Sequence, residues 1–236
     1  ALATRLFGAW RAPASPLPIP TAASIPAPRR AAPRVVLVDT PGAAQSVINI
    51  GGPGVERSSP DYPAISLMNT ILGGSFSARL NDILREQKGF TYGANSGFSW
   101  RPVPGPFLAS SAVRTDVTDS SLAIFFEQFR RIRDEPVPTD ELERARAYSV
   151  LGALGNYETT GQVAGQLSTA LTFGMTLDQV PAELQAIQKL TAAEVQRAAR
   201  QYLDPGQLTV VVVGDLAKIR PGIEALGLGP ITVVSP

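Results

Sequence analysis

The chain predicts an α+β domain, a mostly antiparallel sheet with helices packed on one face. Three observations carry this. Short β-branched runs bounded by turn residues, RVVLVD and QSVINIGG, open the pattern, and FTYGANSGFSW and FLASSAVR repeat it after two helical segments. The second half then reads as successive helices with apolar residues at helical spacing. Finally, the continuous apolar stretch in LTVVVVGD reads as a buried closing strand. Strands with two helices, then a helix run, then a strand fit a layer of helices on a sheet.

Each element has its local reason. Residues 1–12, with FGAW, read as the end of a helix and of a preceding domain. Residues 13–33 are rich in Pro and Ala; Pro removes donors and fixes φ, so an extended connector is expected. The domain proper spans residues 34–236. RVVLVD and QSVINI flank a turn at Pro41 and Gly42 and are expected to be adjacent strands. In DYPAISLMNTIL, Ile65, Met68 and Leu72 share a helix face, and Gly73 and Gly74 end it. Ser77 is placed to cap a second helix with Leu80, Ile83 and Leu84 inward, broken by Gly89. FTYGANSGFSW and FLASSAVR are paired strands around a turn at residues 102–106.

The later helices follow the same logic. Thr118 precedes a helix whose Leu122, Phe125, Phe126, Phe129 and Ile132 form a core face. Thr139 starts another, a third runs through Val163, Leu167 and Leu171, and a fourth covers residues 180–187. Thr191 and Glu194 form a capping box, with Leu190 and Val195 as its hydrophobic staple. That helix ends near Leu203, and Asp204-Pro205-Gly206 turns the chain into the last strand.

Composition limits the chemistry. The 236 residues, 44% hydrophobic, suffice for one or two cores. Lys plus Arg is 21 and Asp plus Glu is 20, a net charge of +1, which gives no reason to invoke nucleic acid or an anionic membrane. No apolar run approaches the ~20 residues of a membrane span. The chain has no His and no Cys. That excludes disulfides, a thiol nucleophile and a Ser-His-Asp triad. It also removes the nitrogen and sulfur donors that zinc prefers, and carboxylates alone suit calcium or magnesium better. No metal ligand and no resident cofactor is therefore assigned, and the chain alone is expected to cleave no peptide. GGPG at residues 51–54 lacks the Lys of a phosphate loop and reads as a strand-ending turn. Asp61, Asp82 and Asp116 stand singly and read as surface groups or caps.

Arg85 and Tyr92 are the candidate site residues. Arg85 lies near the end of the second helix and Tyr92 on the next strand, joined by a tight turn at Lys88 and Gly89. A helix running into a reversed strand brings both to one end of the sheet. A guanidinium and a phenol both donate to oxygen carrying negative charge. From the residues alone, an Arg and a Tyr at this spacing are more often surface side chains or part of an ion pair.

The run ILGGSFSARLNDILREQKGFTYG resembles the C-terminal-type domain of the pitrilysin-like (insulinase) zinc metallopeptidases. PGAAQSVINIGGPG, DYPAISLMNTILGG, ELERARAYSVLGAL, NYETTGQVAGQL and LTVVVVGD fall in the family's order, so the resemblance covers nearly all of residues 34–215. It implies the fold of the mitochondrial processing peptidase-like metallohydrolases. It also implies two homologous domains or subunits closing like a clamshell around a peptide substrate. One bears zinc on an H-x-x-E-H motif plus a distal Glu. The other gives an Arg and a Tyr near the scissile bond, and Arg85 and Tyr92 match that pair by position. H-x-x-E-H is missing, so the chain is similar to the non-zinc half only. Zinc is then expected in a homologous partner domain. The alternatives are a non-catalytic scaffold of the same fold, as in core subunits of respiratory complexes, and a separate substrate-binding subunit. Family members are often exported, which points toward the bacterial periplasm or secretion.

Overall fold

The computed structural model describes residues 1–11, 14–15 and 32–234. The expected connector at residues 13–33 falls almost wholly outside them. The described elements are α1 (Leu2–Phe7), β1 (Arg34–Asp39), β2 (Gln45–Pro53), α2 (Tyr62–Leu72), α3 (Arg79–Asn81), β3 (Thr91–Phe98), β4 (Pro106–Arg114), α4 (Thr118–Asp134), α5 (Thr139–Leu154), α6 (Thr160–Phe173), α7 (Gln179–Lys189), α8 (Ala192–Tyr202), β5 (Thr209–Gly214), α9 (Leu216–Ala225) and β6 (Ile231–Val234). No helix among the described residues is long and apolar enough to cross a membrane.

The six strands form one sheet in the order β3-β4-β2-β5-β1-β6. The junctions from β3 to β5 are antiparallel, and β1 is parallel to both β5 and β6. The expected α+β architecture holds, with a parallel corner at one end.

RVVLVD and QSVINI are not neighbours, contrary to the sequence reading. β5 lies between them, and the short link after β1 steps over its end, where Thr40 N–H donates to the Gly214 carbonyl at 2.8 Å. The register explains why. Val35 and Ile50 both face Val210, and Leu37 and Ile48 both face Val212. Those six side chains are buried and form two apolar rows across three strands. A β1–β2 hairpin would leave β5 one apolar row short. Val211 and Val213 fall on the opposite, partly open face, so β5 is central in the sheet but covered by helices on one side only.

Phe107 of β4 and Phe125, Phe126 and Phe129 of α4 are buried together. The Phe129 ring centre lies 5.9 Å from Phe107, 6.1 Å from Phe125 and 5.7 Å from Phe126. The aromatic stripe on α4 is thus the clamp between the helix layer and β4. The Thr191–Glu194 capping box forms as expected, and Thr159 and Gln162 make a second one at α6.

Three further expectations are corrected. Ser77 does not cap the second helix: Ala78 holds the N-cap position with no side-chain bond, because the chain enters after a tight glycine loop. That helix makes a single α turn and widens into a π-helix over Asp82–Gln87. The Val163-Leu167-Leu171 stripe lies on a helix, α6, as expected, and α6 buries none of its residues. The segment after β5 adds α9 and the edge strand β6. Its signal is weak because Pro221 lies inside the helix and β6 has four residues.

The single carboxylates find local partners. Asp61 accepts from Arg197 at 2.6 Å and from the Tyr202 hydroxyl at 2.7 Å, tying α8 to the start of α2. Asp82 accepts from Gln87 and Asp116 pairs with Arg114.

Two outcomes follow from this packing. Phe129→Ala is expected to cost about 3–5 kcal/mol, read from denaturant unfolding; a loss under about 1 kcal/mol would contradict the aromatic clamp. The Arg197 guanidinium, followed by the Tyr202 hydroxyl, holds the Asp61 carboxyl below its ordinary pKa against the opposing effect of burial. Because the folded value is depressed, the stability it adds is present above the unfolded value and is lost as pH falls through the folded one. Asp61→Asn should therefore flatten the fall of melting temperature below about pH 4, while an unchanged acid limb would show that the pair contributes nothing.

Candidate functional site

Arg85 and Tyr92 meet in one open groove of about 450 Å³, whose walls also include Phe76, Asn81, Asn95 and Tyr148. Three local devices build it.

The first is the double glycine after α2. At Gly73 a Cβ would lie 2.6 Å from both the amide nitrogen and Oγ of Ser96, and at Gly74 one would lie 2.6 Å from Asn69 Nδ2. Glycine is required by close approach, not by backbone angle. It lets the end of α2 press against β3, where Ser96 N–H donates to the Gly73 carbonyl at 2.9 Å. Asn69 Nδ2 donates to the Ser96 carbonyl at 3.0 Å, and Ser96 Oγ donates to Asn69 Oδ1 at 2.8 Å. The following loop then projects Phe76, which is 62% exposed.

The second is the π-helix carrying Arg85. Lys88 N–H donates to the Ile83 carbonyl at 3.0 Å, an i to i−5 bond that widens the turn. Gly89, at φ +61°, ends it and lets Phe90 N–H reach back to the Leu84 carbonyl at 2.8 Å. The Arg85 guanidinium lies 4.5 Å over the Phe76 ring and 3.3 Å from the Glu86 carboxylate. Each contact is worth at most about 1 kcal/mol where solvent reaches it. The guanidinium is supported from below and remains free to turn toward a ligand.

The third is a β-bulge. Thr91 faces Val113 and Ala94 faces Ser111, so β3 spends one residue more than β4 between the two pairs. Thr91 Oγ1 donates to the Ala112 carbonyl at 2.6 Å, and Ser111 Oγ donates to the Gly93 carbonyl at 2.9 Å, which fixes the bulge. Tyr92 falls inside it and stands clear of the sheet at 91% exposure. Bulges of this kind re-aim a side chain.

Sequence reasoning reaches Arg85 and Tyr92 but misses the residues that hold them. Phe76 and Asn81 sit inside the quoted motif, and their roles have no local signature. Tyr148 arrives from α5, more than fifty positions away, and no pattern announces it.

A larger cavity of about 670 Å³ lies between α2, α5, α6 and α7. Its charged wall is Arg57, which donates to both carboxylate oxygens of Glu183 at 2.8 and 2.6 Å and lies 3.5 Å over the Tyr62 ring. Those charges are spent on each other, so the Arg85–Tyr92 groove is the stronger candidate. Zinc does not fit this chain: it has no His and no Cys, and the described residues contain no group of three or more carboxylates placed to hold a metal.

The profile of the family described as the peptidase M16 inactive domain matches residues 1–148. The chain belongs to that family. Across 177 residues this M16 inactive domain is 28% identical to a Streptomyces coelicolor protein named as an uncharacterized zinc protease, covering 74% of this chain and 38% of that protein. A peptidase M16 inactive domain from Pseudomonas fluorescens superposes with a TM-score of 0.74 at 27% identity, over 80% of this chain and 45% of that one. A protease from Helicobacter pylori superposes with a TM-score of 0.78 at 17% identity, over 90% of this chain and 51% of that one, a likeness of fold alone. The chain thus spans about half or less of the length of these relatives.

The glycine contact is directly testable. Gly73→Ala should push the end of α2 off β3 and cost about 1–3 kcal/mol by overpacking, with faster hydrogen exchange at the Ser96 amide. Unchanged stability and exchange would remove the close approach as the reason for glycine here.

Proposed function

We propose that this M16 inactive domain is the non-zinc wall of a peptidase, closing over a peptide and presenting Arg85 and Tyr92 to it. One observation carries the reading. The pair rises from two backbone irregularities, a π-helix and a bulge, that open onto the same groove. Irregularities of both kinds recur at functional sites, and a pure scaffold has no need of either.

The partner is a homologous zinc-bearing M16 domain, in the same chain or in another subunit. Exposed apolar side chains support association: Leu151 and Leu154 on α5 and Leu167 and Leu171 on α6 lie at the surface. Zinc bound in that partner supplies the activation of water.

This chain's share is donation. As water attacks the scissile carbonyl, negative charge grows on its oxygen. The Tyr92 phenol donates a proton to that oxygen in a hydrogen bond, and its exposure lets it reach a peptide lying in the groove. Arg85 holds a neighbouring backbone carbonyl and adds the positive potential of its guanidinium. Such donors act most strongly once closure excludes water. Neither group touches the metal.

The test is made in the complete peptidase, zinc domain included. Tyr92→Phe should lower kcat on the order of 100-fold, and Arg85→Ala should do likewise, both with zinc content unchanged. Near-normal turnover in both variants would return the pair to ordinary surface residues.

A further inference from the structure

We propose that Asn81 is a positioning residue for the Arg85–Tyr92 pair, its carboxamide setting the separation between the two backbones that carry them. The inference rests on the reading that this pair meets the peptide.

Asn81 is 4% exposed, yet it lines the groove from beneath. Both ends of its side chain are used. Nδ2 donates to the Phe76 carbonyl at 2.7 Å, and Oδ1 accepts the Ala94 N–H at 3.2 Å. Phe76 is the residue whose ring lies under the Arg85 guanidinium. Ala94 is the first residue past the bulge that is back in register with β4. One short side chain therefore joins the shelf of one donor to the root of the other. Asn81 also precedes the π-helix directly, so Arg85 follows it by about one turn.

The chemistry selects the residue type. β3 is an edge strand, and the Ala94 N–H points outward, away from β4, where no further strand lies among the described residues. The Phe76 carbonyl needs a donor at the same spot. A carboxamide offers one acceptor and one donor at fixed spacing. Leucine offers neither. A carboxylate accepts but cannot donate, and it would face the Phe76 carbonyl oxygen. A protonated carboxylic acid regains the full pattern: its hydroxyl donates to Phe76 and its carbonyl oxygen accepts from Ala94. Burial raises the pH at which a carboxyl there takes up its proton.

The experiment compares Asn81→Leu and Asn81→Asp with the unaltered complete peptidase, using a fluorogenic peptide that the enzyme cleaves. Circular dichroism melts fix a temperature at which all three are folded, and zinc content is measured in each. At neutral pH both variants should lose kcat by about 10- to 100-fold, the scale on which small misplacements cost rate. The Asn81→Asp rate, relative to the unaltered enzyme at each pH, should climb as pH falls, while Asn81→Leu stays low throughout. A role in folding alone predicts a flat ratio, so a flat Asn81→Asp ratio overturns the proposal. So does a folded Asn81→Leu enzyme within twofold of normal while Tyr92→Phe is impaired; that result spares the reading of the pair. If Tyr92→Phe and Arg85→Ala are also normal, the reading of the pair fails first and this inference with it.

Discussion

The candidate site depends on how the outer edge of β3 is closed. An edge strand presents outward N–H and C=O groups that must find partners. Here they are met by the stretch from α2 to α3, and not by another strand. Gly73 takes the Ser96 N–H, Asn69 serves the Ser96 carbonyl, and Asn81 takes the Ala94 N–H. Three backbone groups are satisfied by two carboxamides, one on α2 and one on α3, and by one carbonyl in the loop between them. The contact is possible only because Gly73 and Gly74 have no side chain to hold the two backbones apart. The helix layer and the sheet edge are thereby fused at the place where Arg85 and Tyr92 emerge.

This closure divides the strand. From Ala94 onward the outward groups named above are occupied. Before Ala94 the bulge turns the chain out and frees Tyr92. A peptide approaching this edge thus meets side chains at the bulge and finds the Ala94–Ser96 stretch already capped. Recognition by strand addition along that stretch would require stripping three hydrogen bonds, each worth about 0.5–1.5 kcal/mol net. Recognition by directed donors requires none of that. On the reading proposed above, the edge therefore favours the second mode.

The sequence made most of the fold legible because its signals are local. The Thr191 capping box, the Phe125-Phe126-Phe129 stripe and the apolar run of β5 each state their structure within a few residues. What failed was non-local. That β5 inserts between β1 and β2 is decided by side-chain rows spanning three strands, which no single run displays. Ser77 carried a cap signal that lost to the geometry of the glycine loop. The π-helix and the bulge were invisible because each departs from regularity by a single residue, a difference that periodicity cannot resolve. The pair itself was legible only through resemblance to a family, since an Arg and a Tyr seven positions apart carry no signature.

The absence of His and Cys limits the chemistry that remains to this chain. It cannot ligate zinc through the usual donors, and it has no side chain whose ordinary pKa lies near neutrality. What the candidate pair offers is hydrogen-bond donors. A guanidinium and a phenol both donate hydrogen bonds. Such groups stabilise developing negative charge without exchanging a proton, and their effectiveness turns on placement, not on titration. On the proposed reading, a wall built from them can therefore be rigid. That is consistent with what surrounds the pair: a buried carboxamide, a double glycine, a pinned bulge and an aromatic shelf, all of which fix position.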